Sequence, residues 1–219
     1  LDPHSVTDDA QPSTRHLEWD ARVDFESKRL LATARLHFHR APPEATVLDL
    51  DARALEVSEV SDLSGVALKW ESLPVDAILG TPLRVEVPAG TAGVRLRYRT
   101  GPEASALQWL NPSQTDGGRH PYLFSQCQAI HARSLLPCQD TPGRRITYRA
   151  SLEVPPGLTA VMAAAPVGSE TKDVGTIFHF QMPQAIPPYL LAFAVGDLAK
   201  RELSERTCVW SEPGLLEAA

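Results

Sequence analysis

Gln126 and Gln128 stand two residues apart in the densest run of chemistry-bearing side chains, His120-Pro121-Tyr122-Leu123-Phe124-Ser125-Gln126-Cys127-Gln128-Ala129-Ile130-His131. On an extended stretch that spacing puts both amides on one face, each offering a donor and an acceptor at fixed separation. The run continues through Ala132-Arg133-Ser134-Leu135-Leu136-Pro137-Cys138-Gln139-Asp140-Thr141-Pro142. Asp140-Thr141-Pro142-Gly143 is a turn signal in which the Asp side chain bonds its own backbone. Such a polar patch beside a structured turn suits a small polar group. An ordinary strand and loop with solvated amides has the same composition, and the residues alone leave both readings open.

Other candidates carry less. His37 and His39 share one face of an alternating strand, a spacing that can bind zinc, but Arg35 on the same face opposes a cation. Arg95, Arg97 and Arg99 form a ladder that could hold a polyanion; in an acidic chain such a ladder pairs with glutamates on a neighbouring strand or domain. Cys127, Cys138 and Cys208 are an odd, small set, which argues against a disulfide framework and for reduced thiols in the cytoplasm. Cys138, between Pro137 and Gln139, reads as a packed, unreactive thiol. The sequence holds no His-Glu-x-x-His, no Gly-x-Ser-x-Gly, no phosphate-binding glycine loop and no Cys-x-x-Cys.

The elements that must position these residues are strands. Leu30, Ala32, Ala34, Leu36 and Phe38 alternate with polar residues, as do Val94, Leu96 and Tyr98, and Ile146, Tyr148, Ala150, Leu152 and Val154. Shorter pieces run through His16–Phe25, Val47–Leu50, Leu55–Val60, Leu83–Val87 and Ile177–Met182, separated by Pro- and Gly-rich turns. The pattern predicts an all-β chain, an antiparallel sandwich or large curved sheets. Helix is confined to a short turn after Asn111 and a segment from Glu212 to Ala219. That last segment reads equally as a frayed tail or as the start of a longer protein's next element. Tyr189 to Val195 does not alternate and, between Pro187-Pro188 and Gly196-Asp197, predicts a strand covered on both faces.

The 219 residues carry 21 Lys+Arg and 27 Asp+Glu, a net charge of −6, with no basic tract. That balance disfavours a general electrostatic grip on nucleic acid or on an anionic membrane. No apolar run approaches the ~20 residues of a bilayer span. Leu1-Asp2-Pro3-His4 lacks the basic and apolar regions of a signal peptide. With 43% hydrophobic and 22% charged residues the chain is globular.

The segment from His120 to Pro142 resembles the N-terminal domain of gluzincin zinc aminopeptidases, which carries an Ala-Arg-x-x-x-Pro-Cys-x-Asp-x-Pro pattern. Ala132-Arg133, Pro137-Cys138, Asp140 and Pro142 match it at the right spacing. The wording is most similar to the branch containing leukotriene A4 hydrolase and aminopeptidase B. Ser105-Ala106-Leu107-Gln108-Trp109-Leu110, Leu158-Thr159-Ala160-Val161-Met162 and Ile186-Pro187-Pro188-Tyr189-Leu190 carry the same likeness, so that it covers nearly the whole chain.

The resemblance implies a saddle of mixed, mostly antiparallel sheets over residues 1–211, with 212–219 starting the connection to a catalytic domain of the same polypeptide. It implies that the zinc, Gly-x-Met-Glu-Asn and His-Glu-x-x-His belong to that catalytic domain, so that this chain alone binds no metal and is inactive. It implies that Gln126, Gln128 and Ala129 line the pocket for the N-terminal residue of a peptide substrate. Gln128 then accepts a hydrogen bond from the free α-amine, where many relatives carry Glu. It implies a cis peptide between Gln128 and Ala129. The alternative is a stand-alone β domain that serves as a protein-binding scaffold.

Overall fold

Alternating apolar residues favour strands, because a period of two puts one side chain in the core and the next in water. The computed structural model describes residues 2–219. The first eight strands are β1 (Thr14–Asp24), β2 (Arg29–Phe38), β3 (Thr46–Leu50), β4 (Leu55–Asp62), β5 (Trp70–Ser72), β6 (Leu83–Val87), β7 (Gly93–Thr100) and β8 (Leu107–Leu110). There follow β9 (Tyr122–Ser125), β10 (Ile146–Val154), β11 (Thr159–Met162), β12 (Ala165–Lys172), β13 (Gly175–Ile186), β14 (Phe193–Gly196), β15 (Ala199–Ser204) and β16 (Thr207–Ser211). Every helical piece among the described residues is a three-residue 3₁₀ turn.

The largest sheet has seven strands in the order β12-β13-β10-β1-β2-β7-β4. Only β1 and β10 pair in parallel within it, with Trp19 opposite Ala150. A four-stranded antiparallel sheet runs β11-β14-β9-β8, a three-stranded one β3-β6-β5, and β15 and β16 form a hairpin.

The core lies between the large sheet and the four-stranded sheet. The apolar positions of β2, β7 and β10 picked out by alternation are all buried. Across from them the small sheet contributes Leu123, Phe193 and Val195. The Trp19 and Phe193 rings meet at 5.7 Å and join the two layers. The indole Nε1 of Trp19 donates to the Tyr98 hydroxyl at 2.8 Å, which donates in turn to the Leu135 carbonyl at 3.1 Å. This buried polar chain is therefore satisfied, as a buried polar group must be.

The outer face of the large sheet is self-neutralised. The β4–β7 register sets Glu56 opposite Arg99 and Glu59 opposite Arg97. Glu56 bonds both Arg29 and Arg99, and Glu59 contacts Arg95 and Arg97. The arginine ladder thus has carboxylate partners on the next strand.

Three sequence expectations change. Tyr189 to Val195 is not one strand: Pro188–Leu190 is a 3₁₀ turn, and only Phe193–Gly196 pairs. Pro187-Pro188 fixes two φ angles and removes two ladder donors, and the Leu190 and Leu191 N–H groups turn back to the Pro187 and Pro188 carbonyls at 3.1 and 3.0 Å. Leu191, Phe193 and Val195 face the core while Ala194 is half-exposed, which makes β14 one-sided. After Asn111 the chain forms two 3₁₀ turns, Pro112–Gln114 and Asp116–Gly118. From Glu212 only Pro213–Leu215 is helical, and the Gly214 N–H donates to Asp116 Oδ2 at 2.9 Å. That bond holds the segment against the 3₁₀ turn at Asp116.

Candidate functional site

Strand β9 delivers the glutamine segment. Its outward side chains are Tyr122 and Phe124, and its inward ones Leu123 and Ser125. The ladder continues one step beyond the strand, where the Gln126 N–H donates to the Ala106 carbonyl at 2.8 Å. There the extended backbone ends. Residues 128–131 form a turn closed by the His131 N–H on the Cys127 carbonyl at 2.9 Å, and the Gln128–Ala129 peptide is cis.

Gln126, Gln128 and Ala129 are brought together and all three are exposed, while Cys127 between them is buried. The expectation of two amides on one face of an extended stretch is corrected in one respect. Gln126 Oε1 accepts the Gln128 backbone N–H at 3.1 Å, so the first amide shapes the turn that presents the second. Gln128 stands in this turn and is exposed.

The base of this turn is packed. Residues Ala132–Ser134 form a buried 3₁₀ turn. Ser134 Oγ accepts the Ala106 N–H at 2.9 Å and donates to the His131 carbonyl at 2.9 Å. His131 Nδ1 lies 2.8 Å from Ser105 Oγ.

Beneath it sits Arg133, whose side chain is 0% exposed. Its Nε donates to Asp140 Oδ2 at 3.0 Å, and its own backbone N–H donates to the same oxygen at 3.1 Å. Its Nη2 reaches the His4 carbonyl at 2.7 Å and its Nη1 the Leu79 carbonyl at 3.4 Å. Asp51, also fully buried, lies 3.5 Å from Nη1 and accepts N–H groups from Val6 at 3.0 Å and Asp140 at 2.9 Å. Ser5 Oγ donates to Asp51 Oδ2 at 2.5 Å.

Burial pushes the carboxyls of Asp51 and Asp140 above their ordinary value. The hydrogen bonds from Ser5 and Arg133, with the guanidinium charge, oppose that shift. Asp140 is therefore not the self-capping turn residue that its neighbours suggested; its carboxylate is turned inward to an arginine seven positions back. Asp51 and Ser5 carry no motif that marks them in sequence. The isolated bridge between Asp51 and Cys138 brings Asp51 to this place, and the Ser5 and Val6 bonds to its carboxylate bring the N-terminal segment.

Gly80 closes the far side of the cluster with φ +93°. A Cβ there would stand 2.5 Å from the Ala52 carbonyl oxygen, so only glycine lets the two loops meet.

Cys127 and Cys138 are inert by position, both being buried. Burial, then the neighbouring Asp140, pushes the Cys127 thiol up to about 12, and Cys138 is likewise raised well above its ordinary value. The histidine pair does not converge on a metal. His37 Nε2 faces Glu18 at 3.3 Å, in ion-pair rather than hydrogen-bond geometry, and its ring packs against His16 at 5.7 Å. Among the described residues no three His, Cys, Asp or Glu side chains group as a metal ion requires. No helix among them is long and apolar enough to cross a membrane.

Known proteins share this architecture. The chain is 38% identical over 224 residues to leukotriene A-4 hydrolase of Xenopus laevis, covering 99% of this chain and 37% of that protein. It is 35% identical to leucine aminopeptidase 2 of Neurospora crassa, covering all of this chain and 33% of that protein. The solved structure of yeast LTA4 hydrolase in complex with bestatin superposes with a TM-score of 0.89 at 31% identity, over 99% of this chain and 34% of that one. An M1 zinc metallopeptidase of Deinococcus radiodurans shares the fold, with a TM-score of 0.69 at 20% identity. The chain spans about a third of the length of the curated relatives it matches. The peptidase M1 N-terminal domain matches residues 13–190, and the chain belongs to that family.

Proposed function

We propose that this domain supplies one wall of the pocket that receives the N-terminal residue of a peptide in a zinc aminopeptidase. Gln128 accepts a hydrogen bond from the substrate's α-ammonium, Gln126 shapes the turn, and Ala129 lines the wall. One observation carries the reading: an exposed amide tip at Gln126–Ala129 rises from a base whose arginine is completely buried. A rigid base with a polar tip suits orientation of a ligand rather than bond cleavage.

The zinc, with the water it activates, belongs to the catalytic domain of the same polypeptide. In this reading the domain's part in the reaction is binding and orientation. A neutral amide gives the ammonium a weaker partner than a carboxylate and leaves the rest of the charge to groups of the catalytic domain. The outward row Val161, Ala194, Phe124 and Gln108 crosses the small sheet beside the loop. Phe124 is 38% exposed there, which supports that sheet as the side turned toward the catalytic domain.

In this reading residues 1–211 are the domain and 212–219 begin the connection, and buried, reduced Cys127 and Cys138 support a cytoplasmic setting. Whether the whole enzyme also opens a leukotriene-type epoxide depends on the catalytic domain. The test is Gln128→Ala in the enzyme that includes that domain. A hydrogen bond to a charged group contributes roughly 1.5 kcal/mol, so KM for an aminoacyl anilide rises about tenfold with little change in kcat. An unchanged KM refutes the assignment.

A further inference from the structure

Gln128 can orient a ligand only if the turn beneath it has one position, and the residues that determine that position do not touch the ligand. We infer that Asp51, Arg133 and Asp140 are positioning residues for the Gln126–Ala129 tip, and that the segment Asp2–Val6 is the strap that completes them. This rests on the pocket-wall reading above.

The connection is direct. Arg133 lies in the 3₁₀ turn that closes the loop, and its backbone N–H and its Nε share the single acceptor Asp140 Oδ2. Backbone and side chain of one residue are thereby locked to one carboxylate. The Arg133 carbonyl accepts the Arg53 N–H at 2.9 Å, so the turn is held from both sides.

The strap enters from above the cluster. Its His4 carbonyl takes the Arg133 Nη2 donor, and its Ser5 hydroxyl and Val6 N–H take the two oxygens of Asp51. Asp2 Oδ2 accepts the Thr141 hydroxyl at 2.7 Å, which fastens the strap's start to the residue after Asp140. Without the strap, Asp51 loses two donors and Arg133 an acceptor.

The chemistry of the cluster fits such a role. A buried ion pair contributes little net stability compared with apolar side chains of the same volume. What it has that they lack is direction, because the guanidinium fork fixes its acceptors in angle as well as distance. A loop that had only to be covered could rest on leucines. A loop whose amide must point one way gains from a directional base.

The test uses Ser5→Ala, which removes one donor from the half-buried strap and leaves the buried charges in place. In the enzyme with its catalytic domain, KM for a free-amine aminoacyl anilide rises about threefold while kcat stays within about twofold, and Ser5→Thr restores it. The effect disappears in a Gln128→Ala background, because both changes act through one contact. Amide exchange at His131, Arg133 and Ser134 quickens about fivefold. If Gln128→Ala raises KM and Ser5→Ala and Asp51→Asn do not, the positioning inference is overturned and the pocket-wall reading stands. If Gln128→Ala itself leaves KM unchanged, that reading falls, and amide exchange decides the inference: faster exchange sustains a strap that holds the tip, and unchanged exchange overturns it.

Discussion

Replacing Arg133 with methionine keeps most of the side-chain volume and deletes the charge. The change strands Asp51 and Asp140, both almost completely buried, with no cation between them. Removing one partner of a buried pair costs about 3–5 kcal/mol, because the remaining charge keeps its desolvation penalty. For a domain of this size each kcal/mol moves the melting temperature by about 2–4 °C, so Arg133→Met melts about 6–20 °C lower.

The pH dependence carries a sign that tests the cause. Burial already raises both carboxyls, and losing Arg133 removes the hydrogen bond and charge that opposed the shift. A carboxyl raised in the folded state binds more protons there than in the unfolded chain. Stability is therefore fully present below the unfolded value near 3.8 and is lost as pH rises through the folded value. The penalty in Arg133→Met should shrink on going from pH 7 to pH 5. Asp2, Asp24, Asp49, Asp62, Asp76 and Glu56 are held below their ordinary values and act in the opposite sense, but they are common to both proteins and cancel in the difference. Urea unfolding followed by circular dichroism at the two pH values measures it, and adding Asp51→Asn and Asp140→Asn restores part of the loss. A loss under about 1 kcal/mol at pH 7, or a penalty that grows on acidification, refutes the account of Arg133 as the counter-charge.

Two other consequences are quickly checked. Tyr98→Phe leaves the Trp19 indole N–H and the Leu135 carbonyl without partners in the core, and costs about 1–3 kcal/mol in urea unfolding followed by tryptophan fluorescence. A thiol reagent at pH 8 modifies Cys208 in the folded chain and reaches Cys127 and Cys138 only after denaturant is added, since the first is exposed and the other two are buried.

Much of the fold is legible in single strands. Leu30 to Phe38 and Ile146 to Val154 announce themselves because one face meets the core and the other meets water. Tyr189 to Val195 misleads for the same reason in reverse: its apolar run looks like a covered strand, but the proline pair imposes a 3₁₀ turn and the strand that follows buries only alternate side chains. The site divides along similar lines. The candidates Gln126, Gln128 and Ala129 are legible from wording alone. Their support is not, because Ser5 and Asp51 stand 46 positions apart, and Asp51 and Asp140 stand 89 apart.

By itself the amino-acid sequence determined the all-β class, the buried faces of the long strands, the family and the polar run that ends β9. Those properties are local, since periodicity and wording are carried by neighbours in the chain. The tertiary structure alone decided that Gln126 is spent on the turn, that Asp140 faces inward to Arg133, and that residues 2–6 complete the base of the loop. Such outcomes depend on which distant donor reaches a buried carboxylate first, and a buried charge takes whatever partner the packed chain brings within 3 Å.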